Sequence, residues 1–135
     1  MEVFMPRRRR GWAMNGHHGE HHSQHTPLTI SLLEPTLLLL ISQKERHGYT
    51  LLNDLEQMNM GTIHPSVIYR TLRELEELCW IQSTWEMDQT QGPPRRIYSL
   101  TPLGEEALIN WQHQLELHQK SIDQLLLMFK SNHSE

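Results

Sequence analysis

A single cysteine, Cys79, stands in the 135-residue chain, so no intramolecular disulfide framework is available and a reducing compartment suits it. Long apolar runs are also missing. The run Leu37 to Ile41 falls far short of the roughly 20 residues that cross a bilayer. The stretch from Met1 through Arg10 has no apolar core of a signal peptide. Together these absences predict a soluble, cytoplasmic chain with no membrane partner. There is no phosphate-cradling glycine loop, no plausible nucleophile–base arrangement and no closed metal motif, which argues against an enzyme. A chain of this length buries enough surface to need no disulfide or metal staple.

Positive charge is scarce overall. The formal charge is -4, with +2 on residues 1–30 and -6 on residues 31–135. Affinity for nucleic acid depends on where cations lie against phosphates, not on the total, so the imbalance weakens a DNA-binding reading without excluding it. Residues 1–27 show no helical or strand period and read as a disordered, Arg- and His-rich tail. Arg7 to Arg10 either hold phosphates or form a solvated arm. His17, His18, His21, His22 and His25 offer imidazoles to Ni²⁺, Zn²⁺ or Cu²⁺, but their spacing specifies no closed tetrahedral site, and an inert polar linker is the plainer reading.

Past Leu28 the pattern is helical. Leu32, Leu33, Leu37, Leu38, Leu40 and Ile41 predict an apolar helix with Pro35 in its first turn. His47-Gly48 breaks it. Tyr49, Leu51, Leu52, Leu55 and Met58 make a second helix, with Gly61 expected in the left-handed conformation after it. Pro65-Ser66 opens a third through Ile68, Tyr69, Leu72, Leu75 and Leu78, completing a helix-turn-helix. Two β-prone runs, 80–87 and 95–100, flank a polar Gly/Pro loop and read as a hairpin, the wing. Thr101 caps a last helix with Pro102 at its first position, extending to about Lys130.

On that last helix Leu108, Trp111, Leu115, Ile122, Leu125 and Phe129, interrupted by His118, recur at coiled-coil spacing. They either pack on their own domain or pair two copies; the helix is too long for the first alone, which favours a homodimer. The expected architecture is mainly α with a small β-hairpin: a winged helix-turn-helix over 28–104 and a dimerisation helix over 105–131.

Three segments in order, His47-Gly48-Tyr49, Ile68 to Glu76, and Arg95 to Gly104, resemble the PadR family of transcriptional regulators over about Leu37 to Leu108. The resemblance implies a DNA-binding winged-helix dimer held by its C-terminal helix, in most cases a repressor, in some released by small aromatic or drug-like effectors. No cofactor is implied as a requirement. Ser66-Val67 departs from the Gly-Ser/Thr common in the family, removing a hydroxyl that could reach phosphate.

In a helix-turn-helix the second helix enters the major groove by its N-terminal residues, which nominates His64, Ser66, Tyr69, Arg70 and Arg73 for double-stranded DNA. Ser66 is expected to cap that helix, and Arg70 to make the bidentate contact with guanine. Tyr69 resembles the family's DNA-facing tyrosine, or is half-buried with a wet hydroxyl. Tyr49 touches a phosphate or lies in the core. Consecutive strand residues face opposite ways, so one of Arg95 and Arg96 is expected on DNA, with Gln89 and Gln91 at the tip; alternatively both pair with Glu86 and Asp88. Glu74, Glu76 and Glu77 read as a face away from the groove. Trp80, Trp85 and Trp111 line an effector pocket or belong to the core, and Cys79 is expected to pack at an apolar helix end. A winged helix that binds another protein is the rival reading to DNA binding, and a metal-responsive regulator using the His-rich tail is a second alternative.

Overall fold

The computed structural model of the chain describes residues 27–86 and 95–133. Helix α1 (Pro27–Gln43) is apolar on nearly every turn and buries Leu33, Pro35, Leu37, Leu38, Leu40 and Ile41, as a central core helix must. Because it starts at Pro27, Pro35 lies in its interior and not in its first turn, where its missing N–H leaves the Ser31 carbonyl without a helical donor. Of the tail expected over 1–27, all but Pro27 lies outside the described residues, including Arg7 to Arg10 and the five histidines.

His47-Gly48 is more than a helix break. Arg46–His47 forms strand β1, followed at once by α2 (Gly48–Gln57). Then come α3 (Pro65–Glu77), β2 (Ile81–Glu86) and β3 (Arg95–Leu100). The expected hairpin is therefore part of a three-stranded antiparallel sheet in the order β1-β3-β2. Arg46 pairs with Tyr98 and His47 with Ile97 on one side of β3, while Ser83 and Thr84 pair with the same two residues on the other. The Arg46 side chain anchors this strand to α1: its Nε donates to the Leu40 carbonyl at 2.8 Å, and its guanidinium pairs with Asp54.

Helices α2 and α3 end in the same way. Asn59 (φ 66) and Cys79 (φ 65) adopt the left-handed conformation, and the next residue's N–H returns to a helix carbonyl, Met60 to Leu55 at 2.9 Å and Trp80 to Leu75 at 3.0 Å. Met60 and Trp80 are then buried against the core. The left-handed residue is thus Asn59, not Gly61; Gly61 instead makes room for Glu56, whose Cγ would stand 2.6 Å from a Cβ there. Cys79 is exposed, contrary to the packing role expected of it.

Helix α4 (Pro102–His133) has 32 residues and so extends roughly 48 Å at 1.5 Å per residue. The Gly104 N–H donates to Thr101 Oγ1 at 3.0 Å, and the Thr101 N–H donates to the Trp80 carbonyl at 3.1 Å, so the capping residue also fastens the helix to the turn after α3. Ala107, Leu108 and Trp111 pack on the core, and Trp111 Nε1 donates to Glu34 on α1 at 3.0 Å. Leu115, Ile122, Leu125 and Phe129 are exposed. The six seam residues therefore divide, two against the chain's own core and four beyond it. Among the described residues no helix is long and apolar enough to cross a membrane.

Candidate nucleic-acid interface

Alternation along α3 sets the reading face. Ile68, Leu72 and Leu75 point into the core, with Val67 packed against it, which leaves Ser66, Tyr69, Arg70 and Arg73 on the exposed side. Val67, where the family commonly has a hydroxyl residue, is partly buried and packs against the core. Pro65 occupies the first helical position, so the cap is His64, not Ser66. The Ser66 N–H donates to His64 Nδ1 at 3.1 Å, and the Ser66 hydroxyl lies 2.9 Å from the same nitrogen. A backbone N–H can only donate, so Nδ1 accepts and the ring proton sits on Nε2. Glu74 and Glu77 are exposed on the C-terminal half of the helix, and Glu76 accepts from Ser83 on β2 at 2.7 Å.

The two wing arginines go to opposite faces of the sheet. Arg96 lies over the Trp85 ring, 4.7 Å from its centroid, and its Nε donates to Ser83 at 3.0 Å. Trp85 is 54% exposed, so this is a surface stack. Arg95 donates to the Tyr49 hydroxyl at 2.8 Å and sits 5.0 Å from its ring centroid. At 53% exposure Tyr49 is a surface residue, which removes the core alternative for it. Glu86 lies on His47 at 2.6 Å, while Asp88, Gln89 and Gln91 lie outside the described residues.

Between α3 and the wing lies Tyr98, buried on the central strand. Burial pushes its phenol above the ordinary tyrosine range; Arg96 opposes the shift, Glu76 and Tyr69 add to it, and Arg73 opposes it. Tyr69, 40% exposed, rests on the backbone of Gly48 at the head of α2. Tyr49, Tyr69, Arg70, Arg73, Arg95 and Arg96 are all exposed, on α2, α3 and β3, with Tyr49 and Arg95 on one side of the sheet and Arg96 on the other. Sequence reasoning missed the link of Glu86 to His47 and the anchoring role of Arg46. A two-residue strand carries no period that would have revealed either.

Trp80 is buried in the core and Trp111 packs against that core, whereas Trp85 is exposed on the wing. Among the described residues no group of three or more His, Cys, Asp or Glu side chains is placed to hold a metal ion.

The profile of the "Transcriptional regulator PadR-like family" matches residues 37–110, from the second half of α1 into the start of α4. Solved structures agree in fold. A Streptococcus transcriptional regulator is 36% identical with a TM-score of 0.62, over 73% of this chain and 97% of its own. A PadR-like transcriptional regulator from Bacillus cereus is 26% identical with a TM-score of 0.67, over 75% of this chain and 97% of its own. No curated protein sequence matches. The matched segment exceeds half of the chain and contains α2, α3 and the sheet, so the chain belongs to the PadR-like family and is a DNA-binding transcription regulator, not an enzyme.

Proposed function

We propose that the chain is a cytoplasmic, sequence-specific repressor that binds its operator as a homodimer. The exposed face of α3 carries this reading: Tyr69, Arg70 and Arg73 project from one side of a capped helix, and among the described residues neither arginine is drawn into an ion pair. Arg70, nearest the helix start, is assigned the bidentate contact with guanine, worth ~1–3 kcal/mol of discrimination. Arg73 and Arg96 serve the phosphates beside it, and Tyr49 with Arg95 those on the far side of the wing. Leu115, Ile122, Leu125 and Phe129 supply the surface that meets a second copy, which presents two reading heads to half-sites about one helical turn apart. No cofactor is required.

The test is a mobility shift with a duplex from the chain's own promoter region at graded salt, alongside light scattering for mass. A retarded complex with the mass of a dimer on DNA, weakening steeply with salt, is expected. Intact dimers that fail to bind at low salt would sink the proposal and leave the winged-helix protein-interaction module as the reading. Repression is read separately, from a promoter fused to a reporter with and without the protein.

A further inference from the structure

Four side chains from four elements form a chain across one face of the wing root. Glu86 Oε1 on β2 lies 2.6 Å from His47 Nε2 on β1. The His47 ring stacks on Tyr49 at the head of α2, with centroids 5.4 Å apart and planes 17° from parallel. Tyr49 in turn holds Arg95 of β3 by its hydroxyl at 2.8 Å and by its ring face. The register makes the arrangement informative. Glu86 stands opposite Arg95, while His47 pairs with Ile97, two residues further along β3. The carboxylate thus reaches across the central strand to an imidazole, and the arginine beside it turns to the tyrosine.

Resting on the DNA-binding reading above, we propose that Glu86 and His47 are positioning residues for DNA phosphate. Glu86 fixes the His47 ring, the ring fixes Tyr49, and Tyr49 presents the Arg95 guanidinium at the edge of the reading surface. A long side chain already held in place loses less freedom when it meets its phosphate. The arrangement also gives an acidic residue a favourable part in binding a polyanion, and the sign of that effect is the test.

The experiment uses the full chain with two duplexes, one from its promoter region and one of mixed sequence, and follows dissociation constants over graded salt. An acidic side chain near DNA with no such role repels phosphate, so neutralising it tightens binding. Glu86→Gln is expected to do the opposite, weakening binding to both duplexes about threefold to tenfold and lowering the log–log salt slope by about 0.9, the share of one phosphate contact. Arg95→Gln should show the same change, and adding Glu86→Gln to it should weaken binding no further, because the two lie on one path. Tyr49→Phe, which keeps the ring and removes the hydroxyl, should lower the slope in the same direction and covers the case in which Glu86→Gln lowers the melting temperature. Unchanged or tighter binding by Glu86→Gln, or losses that add to those of Arg95→Gln, would overturn the proposal while the DNA-binding reading stands. A wild-type chain that binds neither duplex at low salt would overturn both.

Discussion

The Tyr69 ring lies directly on Gly48: a Cβ on the glycine would stand 3.0 Å from Tyr69 Cε1 and 3.2 Å from its hydroxyl oxygen. This contact joins the head of α2 to the exposed face of α3, and it requires a residue without a side chain at 48. Gly48→Ala is expected to leave the fold intact, because Tyr69 is partly exposed and its ring can swing outward. The displaced ring should cost DNA binding about 1 kcal/mol, near a fivefold loss in affinity. Titration of labelled duplex together with a thermal melt checks this. A melting temperature that falls while affinity holds would show that the contact serves only the fold.

Cys79 occupies a left-handed backbone position at φ 65, which costs a residue with a Cβ about 1–2 kcal/mol. Its side chain is exposed and its N–H already donates to the Glu76 carbonyl at 2.9 Å, so the thiol contributes little there. Cys79→Gly is expected to raise stability by about 0.5–1 kcal/mol, the relief being partly offset by the freer unfolded chain. Cys79→Ala keeps the Cβ and should gain nothing. Urea midpoints of the two variants separate backbone strain from loss of the thiol.

Where a segment repeats its pattern over several turns, its sequence was enough to place it. The spacing of Ile68, Leu72 and Leu75 located α3 and left Tyr69, Arg70 and Arg73 on the outside, as the structure has them. Short or singular features escaped. Arg46–His47 is a strand only because β3 lies beside it, and two residues hold no alternation to read. The α3 cap is legible in the sequence, since Pro65 at the first helical position makes His64, not Ser66, the cap. A glycine favours the left-handed conformation, which points to Gly61, whereas the length of α2 places that conformation at Asn59, two residues earlier. The direction of Arg95 and Arg96 followed from strand alternation, but their partners, Tyr49 and Trp85, come from packing.

Tyr98 gives the fold an alkaline limit. Burial raises its phenol above the ordinary value of 10.0, so the folded state favours the neutral form. Both states are neutral at lower pH and the contribution is then complete. Above about pH 10 the unfolded chain releases the proton while the folded chain still holds it, and stability is lost as pH rises through the folded value. Urea midpoints measured at pH 8 and pH 10.5 should fall more for the wild type than for Tyr98→Phe. Equal falls would place the origin of the loss elsewhere.

Gly104 sits where α4 meets the turn after α3. A Cβ there would stand 2.0 Å from the Trp80 carbonyl oxygen, which is backbone and itself accepts the Thr101 N–H. Unlike Tyr69, that carbonyl cannot swing away. Gly104→Ala is expected to destabilise the protein by about 3 kcal/mol, at the upper end for overpacking, by prising the helix off its seat. Thermal melts give the answer, with the exposed neighbour Leu103→Ala as the control that should stay within about 0.5 kcal/mol.

The division of the α4 seam makes its two halves behave differently. Leu108 packs on the core, so Leu108→Ala should lower stability by roughly 1–2 kcal/mol while leaving the association state unchanged. Ile122 and Leu125 are exposed and lie outside the core cluster, so Ile122→Glu with Leu125→Glu should leave each domain folded. What the pair removes is the exposed apolar face that the proposed dimer would bury. If the proposed dimer forms through this face, light scattering should give a dimer for the wild type and a monomer for the double variant. Affinity for a two-half-site duplex should fall by far more than affinity for a single half-site, because the second head is no longer tethered to the first. A double variant that remains dimeric would move the interface off this stretch of α4. One that becomes monomeric yet binds both duplexes as before would show that a single reading head suffices.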